Sequence, residues 1–159
     1  MQHWNELQAA LVSEVDLLEQ AVTLAERKRQ TLVQNDVAAL DAMLPEEESL
    51  AGQLQELEFT LTRTIGILAG QVGASSLAEL IESAQCPNSQ DLQPLYQHMV
   101  VRLAGLQQAN DQNHLLLAQA LAFVDYSLKL FTSTTNDPAY DSVGRAKQQK
   151  AARLIDRKV

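Results

Sequence analysis

Residues 3–34 read HWNELQAALVSEVDLLEQAVTLAERKRQTLVQ, and their apolar side chains settle the fold class. Trp4, Leu7, Leu11, Val15, Leu18, Val22 and Ala25 advance by threes and fours, the spacing of one face of an α-helix over several turns. A second row, Ala10, Leu17 and Leu24, lies to one side of the first. The apolar face is therefore wider than a two-stranded coiled-coil seam, and the helix needs at least two neighbours.

The same period recurs downstream. Asn35-Asp36 reads as a break with an N-cap, after which Val37, Leu40 and Leu44 resume the spacing. Pro45 is the expected first residue of a long second helix. Glu46, Glu47 and Glu48 would then sit in its first turn, favoured by the positive end of the helix dipole. Leu50, Leu54, Leu57, Leu61, Ile65 and Leu68 mark its buried face, and Gly70 or Gly73 its end. Ser75-Ser76 caps a short helix carrying Leu77, Leu80 and Ile81, ended by Cys86-Pro87-Asn88. A third long helix follows over about residues 91–132, with Leu92, Leu95, Met99, Leu103, Leu106, Asn110, Asn113 and Leu117 on its stripe.

Leu, Ala, Glu and Gln dominate, and no strand-like alternation bounded by turn residues recurs. The expected fold is all-α: an antiparallel bundle of three long helices plus a short one over residues 1–133, with a basic tail over 134–159, mobile unless bound. That tail has one short helix, expected at about Arg145–Asp156, whose few apolar residues are Leu154 and Ile155. Charge divides the same way. Up to Gly144 there are 6 Lys+Arg against 19 Asp+Glu (net −13), and from Arg145 to Val159 there are 6 against 1 (net +5).

Several classes of function lack their residues. There is no His-Glu-x-x-His motif, phosphate-binding glycine loop or paired-cysteine pattern. Asp111-x-x-His114 has no second copy to complete a di-metal bundle. His114 is followed by Leu115, Leu116, Leu117 and Ala118, with no cation to accompany a phosphoryl group as in phosphotransfer domains. We expect no catalytic residues, no metal and no cofactor. No run of eighteen purely apolar residues occurs, and the N-terminus MQHWNELQ lacks a signal-sequence pattern, so the expected location is cytoplasmic without direct membrane insertion. Cys86 is the single cysteine, which agrees with a reducing compartment. The acidic body opposes a phosphate backbone, so no nucleic-acid partner is expected. The basic tail has other uses: folding back on the body, or holding an acidic client, a membrane surface or an export component.

The stretch from Asn110 to Phe131, NDQNHLLLAQALAFVDYSLKLF, begins polar and becomes apolar on nearly every side. Asn110 and Asn113 stand where a core stripe is normally apolar. Their simplest role is to set register through a hydrogen-bond partner, with ligand recognition the alternative. An all-round apolar helix needs cover on all sides. Leu117, Leu121, Val124, Leu128 and Phe131 have the spacing of anchors for an incoming helix. Off-row residues such as Leu116, Phe123 and Leu130 are the ones expected to be exposed.

These residues carry a resemblance. An Asn-x-x-Asn-x-Leu-Leu pattern from Asn110, an apolar helix, and a Tyr-x-x-x-Gly turn from Tyr140 to Gly144 resemble the carboxy-terminal half of FlgN-like proteins, the bacterial flagellar export chaperones. The rest of the chain is compatible with that family over roughly its full length. The resemblance implies a cytoplasmic chaperone of flagellar type III secretion whose clients are the hook-filament junction proteins, hook-associated proteins 1 and 3. Client carboxy-terminal helices would then meet the carboxy-terminal half here, including Leu154 and Ile155. Tyr140 would contact the cytoplasmic domain of the export-gate membrane protein, although Asp141 follows it where a glycine is frequent. A structural adaptor, in which excess apolar surface joins two copies as a homodimer, is the competing expectation.

Overall fold

A computed structural model describes residues 1–134, and four helices build these described residues. They are α1 (Gln2–Gln34), α2 (Val37–Val72), α3 (Leu77–Glu82) and α4 (Ser89–Thr134), and no strand occurs among the described residues. Tyr140, Leu154, Ile155 and the expected tail helix lie outside the described residues.

The α1–α2 hairpin turns in two residues. Asn35 adopts the left-handed conformation (φ 56°), a region in which asparagine is enriched. Its N–H donates to the Leu32 carbonyl, and the Asp36 N–H donates to Thr31. These bonds satisfy two of the carbonyls that a helix end leaves open. Asp36 then accepts from the Ala39 N–H at 3.0 Å, starting α2 at Val37. The expected start at Pro45 is thus eight residues late, and Pro45 lies inside the helix. Glu46 and Glu47 are not first-turn acids. They reach across the hairpin to Arg27 (3.0 Å) and Lys28 (2.8 Å). At its far end α2 stops on Gly73 (φ 78°), where a side chain would be strained.

Ser76 caps α3 by accepting from the Glu79 N–H, and Glu79 accepts in return from the Ser75 N–H and hydroxyl. The helix ends at Glu82 with Ser83 beyond it, before the expected stop at Cys86-Pro87-Asn88. Its Leu80 and Ile81 are fully buried with Trp4, Leu7 and Leu11 of α1, Leu61 and Leu68 of α2, and Leu92 of α4. α3 therefore closes one end of the bundle and returns the chain for α4. Asn88 bonds Gln8 and Arg102 bonds Glu19, so α4 climbs in the direction of α1 and against α2. A second cluster, Ala21, Leu24, Met43 and Leu50, packs with Leu17, Leu54 and Leu106.

The core departs from the expected rows in detail. Ala21 is buried on α1, whereas Val22 and Leu17 are half-buried. On α4 the buried line shifts: Leu103 is exposed, and Ala109 takes the inward position expected of Asn110. A straight helix drifts about 20° per heptad from a strict seven-residue repeat, so the inward face moves along the sequence.

Glu14 on α1 is half-buried, and one of its carboxylate oxygens is buried without a hydrogen-bond partner. Burial, and secondarily the charge of Glu58 on α2, push its carboxyl above the ordinary carboxylate range. A carboxyl that holds its proton more tightly when folded costs stability as pH rises through that range, and restores it as pH falls. Glu14→Gln should therefore raise the thermal midpoint at pH 7. Melting curves from pH 7 down to about 4 should show the advantage over the unsubstituted chain shrinking, since the unsubstituted carboxyl becomes neutral there. An advantage that stays constant over this range would contradict the assignment.

Candidate functional site

Along α4 the side chains change from buried to exposed. Leu92 is fully buried and Leu95, Tyr96 and Met99 pack partly buried against the same cluster. Ala109 and Asn113 are the last inward positions, Asn113 at 3% exposure. Its amide nitrogen donates to the Ala25 carbonyl at 2.9 Å, while its amide oxygen is buried without a partner. A hydrogen bond from one helix to a single backbone carbonyl of another is directional, so a one-residue slip between α1 and α4 would lose it. Asn110 differs: it is exposed, at the rim of a shallow groove of about 170 Å³ lined by Leu24, Leu50, Leu54 and Leu106.

Beyond Asn113 the apolar residues remain but their burial does not. Leu116 and Leu117 are half-buried, and Leu115 is exposed. Leu121 is 67% exposed, and Val124, Leu128 and Phe131 are exposed as well. Of the off-row residues, Phe123 and Leu130 are exposed and Leu116 is half-buried, and the anchor row beyond Leu117 is exposed with them. Met1–Ala122 forms one compact unit, and Phe123 opens a second, described through Thr134 as the last turns of α4.

Two rows run along this stretch. At about 100° per residue, Leu117, Leu121, Val124, Leu128 and Phe131 form the first. Phe123, Tyr126 and Leu130 form the second, roughly two fifths of the way round the helix, and Asp125 and Lys129 make a narrow polar strip. Tyr126, 61% exposed, was not singled out by the sequence reading, although its spacing of three from Phe123 is visible there. An 18-residue window of α4 is long and apolar enough by composition to cross a membrane, and none of it is buried. The absence of a purely apolar run therefore did not capture how apolar this helix is.

Elsewhere the surface offers less. A groove of about 490 Å³ is lined by Asp16, Glu19, Arg27 and Glu46, and three of these four are engaged in ion pairs: Arg27 with Glu46, Glu19 with Arg102. Among the described residues no three His, Cys, Asp or Glu side chains group as metal ligands.

Among the described residues the bundle leaves the apolar row of α4 exposed from Leu121 onward, and the comparison with known families says what kind of protein carries it. The sequence matches the FlgN protein family over residues 1–148, and the chain belongs to that family of flagellar export chaperones. It is similar to the uncharacterized protein YvyG of Bacillus subtilis (strain 168), 22% identical over 138 residues that cover 87% of this chain and 86% of that relative. No solved structure matches the chain.

Proposed function

We propose that the chain is a cytoplasmic chaperone that binds the carboxy-terminal helical region of the flagellar hook-associated proteins 1 and 3, prevents their premature assembly, and delivers them to the type III export gate. The observation that carries the reading is the open apolar row on α4: Leu121, Val124 and Leu128 are exposed, with Leu117 half-buried at its start. An apolar surface of this kind is a recognition surface or an aggregation hazard, and a helical client covers it. Phe131, and Leu154 and Ile155 from the tail, extend the client-binding set. Asn113 sets the register of α4 on α1 through its bond to Ala25.

Magnitudes fit a releasable cargo. Burying four or five such side chains at about 1.5–3 kcal/mol each gives roughly 6–15 kcal/mol gross. Association and ordering consume about 4–15 kcal/mol of it. With contributions from the client, reversible binding near the micromolar range results.

Co-purification of the full chain with the carboxy-terminal segments of hook-associated proteins 1 and 3 tests the proposal. Capture of these segments, but not of an unrelated amphipathic helix, is the expected result. Failure to retain either segment would contradict it. The adaptor reading predicts instead a homodimer that persists without client and dissociates on dilution, with no change when client is added.

A further inference from the structure

The shallow groove beside Asn110 has a cause in the sequence. Ala21 and Ala25 on α1 and Ala51 on α2 line it, and a larger side chain at any of the three would intrude on it. Leu24, Leu50, Leu54 and Leu106 supply the rest of its apolar wall. Glu47, its charged lining residue, is held by Lys28 at 2.8 Å. A cavity of about 150 Å³ lined by apolar side chains takes a benzene ring. At about 170 Å³ this groove has room for one leucine, methionine or phenylalanine side chain, and none for the backbone of a helix.

The groove is joined to the anchor row by surface positions. From its mouth Asn110, His114, Leu117 and Leu121 follow at intervals of four, three and four, a stripe within about 60° of arc. Leu117 is half-buried and the other three are exposed, so nothing of the bundle closes the line between groove and row. All four lie within the unit Met1–Ala122. An incoming helix that sits on Leu117 and Leu121 and keeps to this stripe passes over the mouth, where Asn110 offers an amide able to donate and accept. Leu106 and Asn110 precede Leu121 by 15 and 11 residues, which sets the groove about 16–22 Å from it along α4.

We infer that the groove between α1, α2 and α4 takes one large apolar side chain of the client helix, about 11–15 residues along that helix from the side chain that meets Leu121. The inference rests on α4 being the client site. To that reading it adds a second anchor and a length: the client helix runs at least about four turns and carries an apolar residue at the end that lies over the bundle.

Ala51 is exposed, and alanine and leucine are both good helix formers, so Ala51→Leu fills the groove from its rim without changing the core. Titration of the full-length variant with the carboxy-terminal segments of hook-associated proteins 1 and 3 is the test. Affinity should fall about tenfold or more, the loss of one buried apolar side chain, with circular dichroism unchanged. Alanine substitutions along the client segment form a second arm that leaves this chain untouched. One apolar position should lose about tenfold against the unsubstituted chain and little further against Ala51→Leu, because the two changes remove the same contact. Full affinity of Ala51→Leu, beside a Leu121→Glu, Leu128→Glu variant that no longer binds, would overturn the groove assignment and leave the client site standing. A client scan without such a position would overturn it too. Binding of neither segment by the unsubstituted chain would remove the client site and the groove together. Self-association of the client-free chain that Ala51→Leu abolishes would give the groove to a second copy and overturn the inference.

Discussion

Replacing Leu121 and Leu128 together with Glu should weaken client capture at least about a hundredfold while leaving the bundle folded. Both side chains are exposed in the client-free chain, so the substitution removes little packing from the fold. Surface changes of this kind usually alter stability by no more than about 0.5 kcal/mol. Leu and Glu are also similar helix formers, although a carboxylate at position 121 stands four residues from Asp125 and repels it slightly. In the complex the balance reverses. Each lost leucine forfeits about 1.5–3 kcal/mol of burial, and each carboxylate resists desolvation against an apolar partner. Two sites exceed the roughly 2.8 kcal/mol that a hundredfold change requires. Calorimetric titration with a client segment, beside circular dichroism of the variant, measures both halves of the prediction. Unchanged affinity in a folded variant removes the row from the client site.

Tyr140→Ala separates capture from delivery. Under the proposed function this tyrosine meets the export gate, not the client, so affinity for the client segment should remain near that of the unsubstituted chain. Secretion of the junction proteins into the medium should fall by about an order of magnitude or more, because an interface tyrosine that acts as an anchor contributes about 2 kcal/mol or above. Tyr140→Phe keeps the ring and removes the hydroxyl. Rescue by Phe would assign the contact to the ring, and failure of Phe would assign it to the hydroxyl. Normal secretion by the Ala variant would remove the gate role.

Much of the fold was legible because local signals and tertiary packing agree. The rows on α1 are largely the rows buried in the bundle, with Ala21 buried in place of Val22 and Leu17 half-buried. The break at Asn35-Asp36 and the cap at Ser76 are residue-level signals, and both operate as hydrogen bonds. Pro45 and the three glutamates misled for a physical reason. Proline at a helix start and acids in the first turn are sound local preferences, but α2 was already nucleated at Asp36. The partners that hold Glu46 and Glu47, Arg27 and Lys28, lie nineteen residues back. They come within reach only once the hairpin turn has set the register.

The site was legible in its composition and not in its exposure. Core-facing and partner-facing rows of a helix require the same leucines at the same spacing, so no period distinguishes Leu106, which packs half-buried against the core, from Leu121, which is exposed. The two asparagines show the same limit. They are three residues apart with identical side chains, yet Asn113 is buried against Ala25 and Asn110 is exposed. The difference is an angle of about 60° around α4, which has meaning only relative to α1.

The account rests on α4 being a berth for another chain over Leu115–Phe131. Hydrogen–deuterium exchange of the full chain, with and without a saturating client segment, addresses this directly. The account predicts slowed exchange in peptides covering residues 115–131 when client is present, with the interior of α1 little changed. Client binding that leaves 115–131 as exchangeable as before, and protects another face of the bundle, would contradict it.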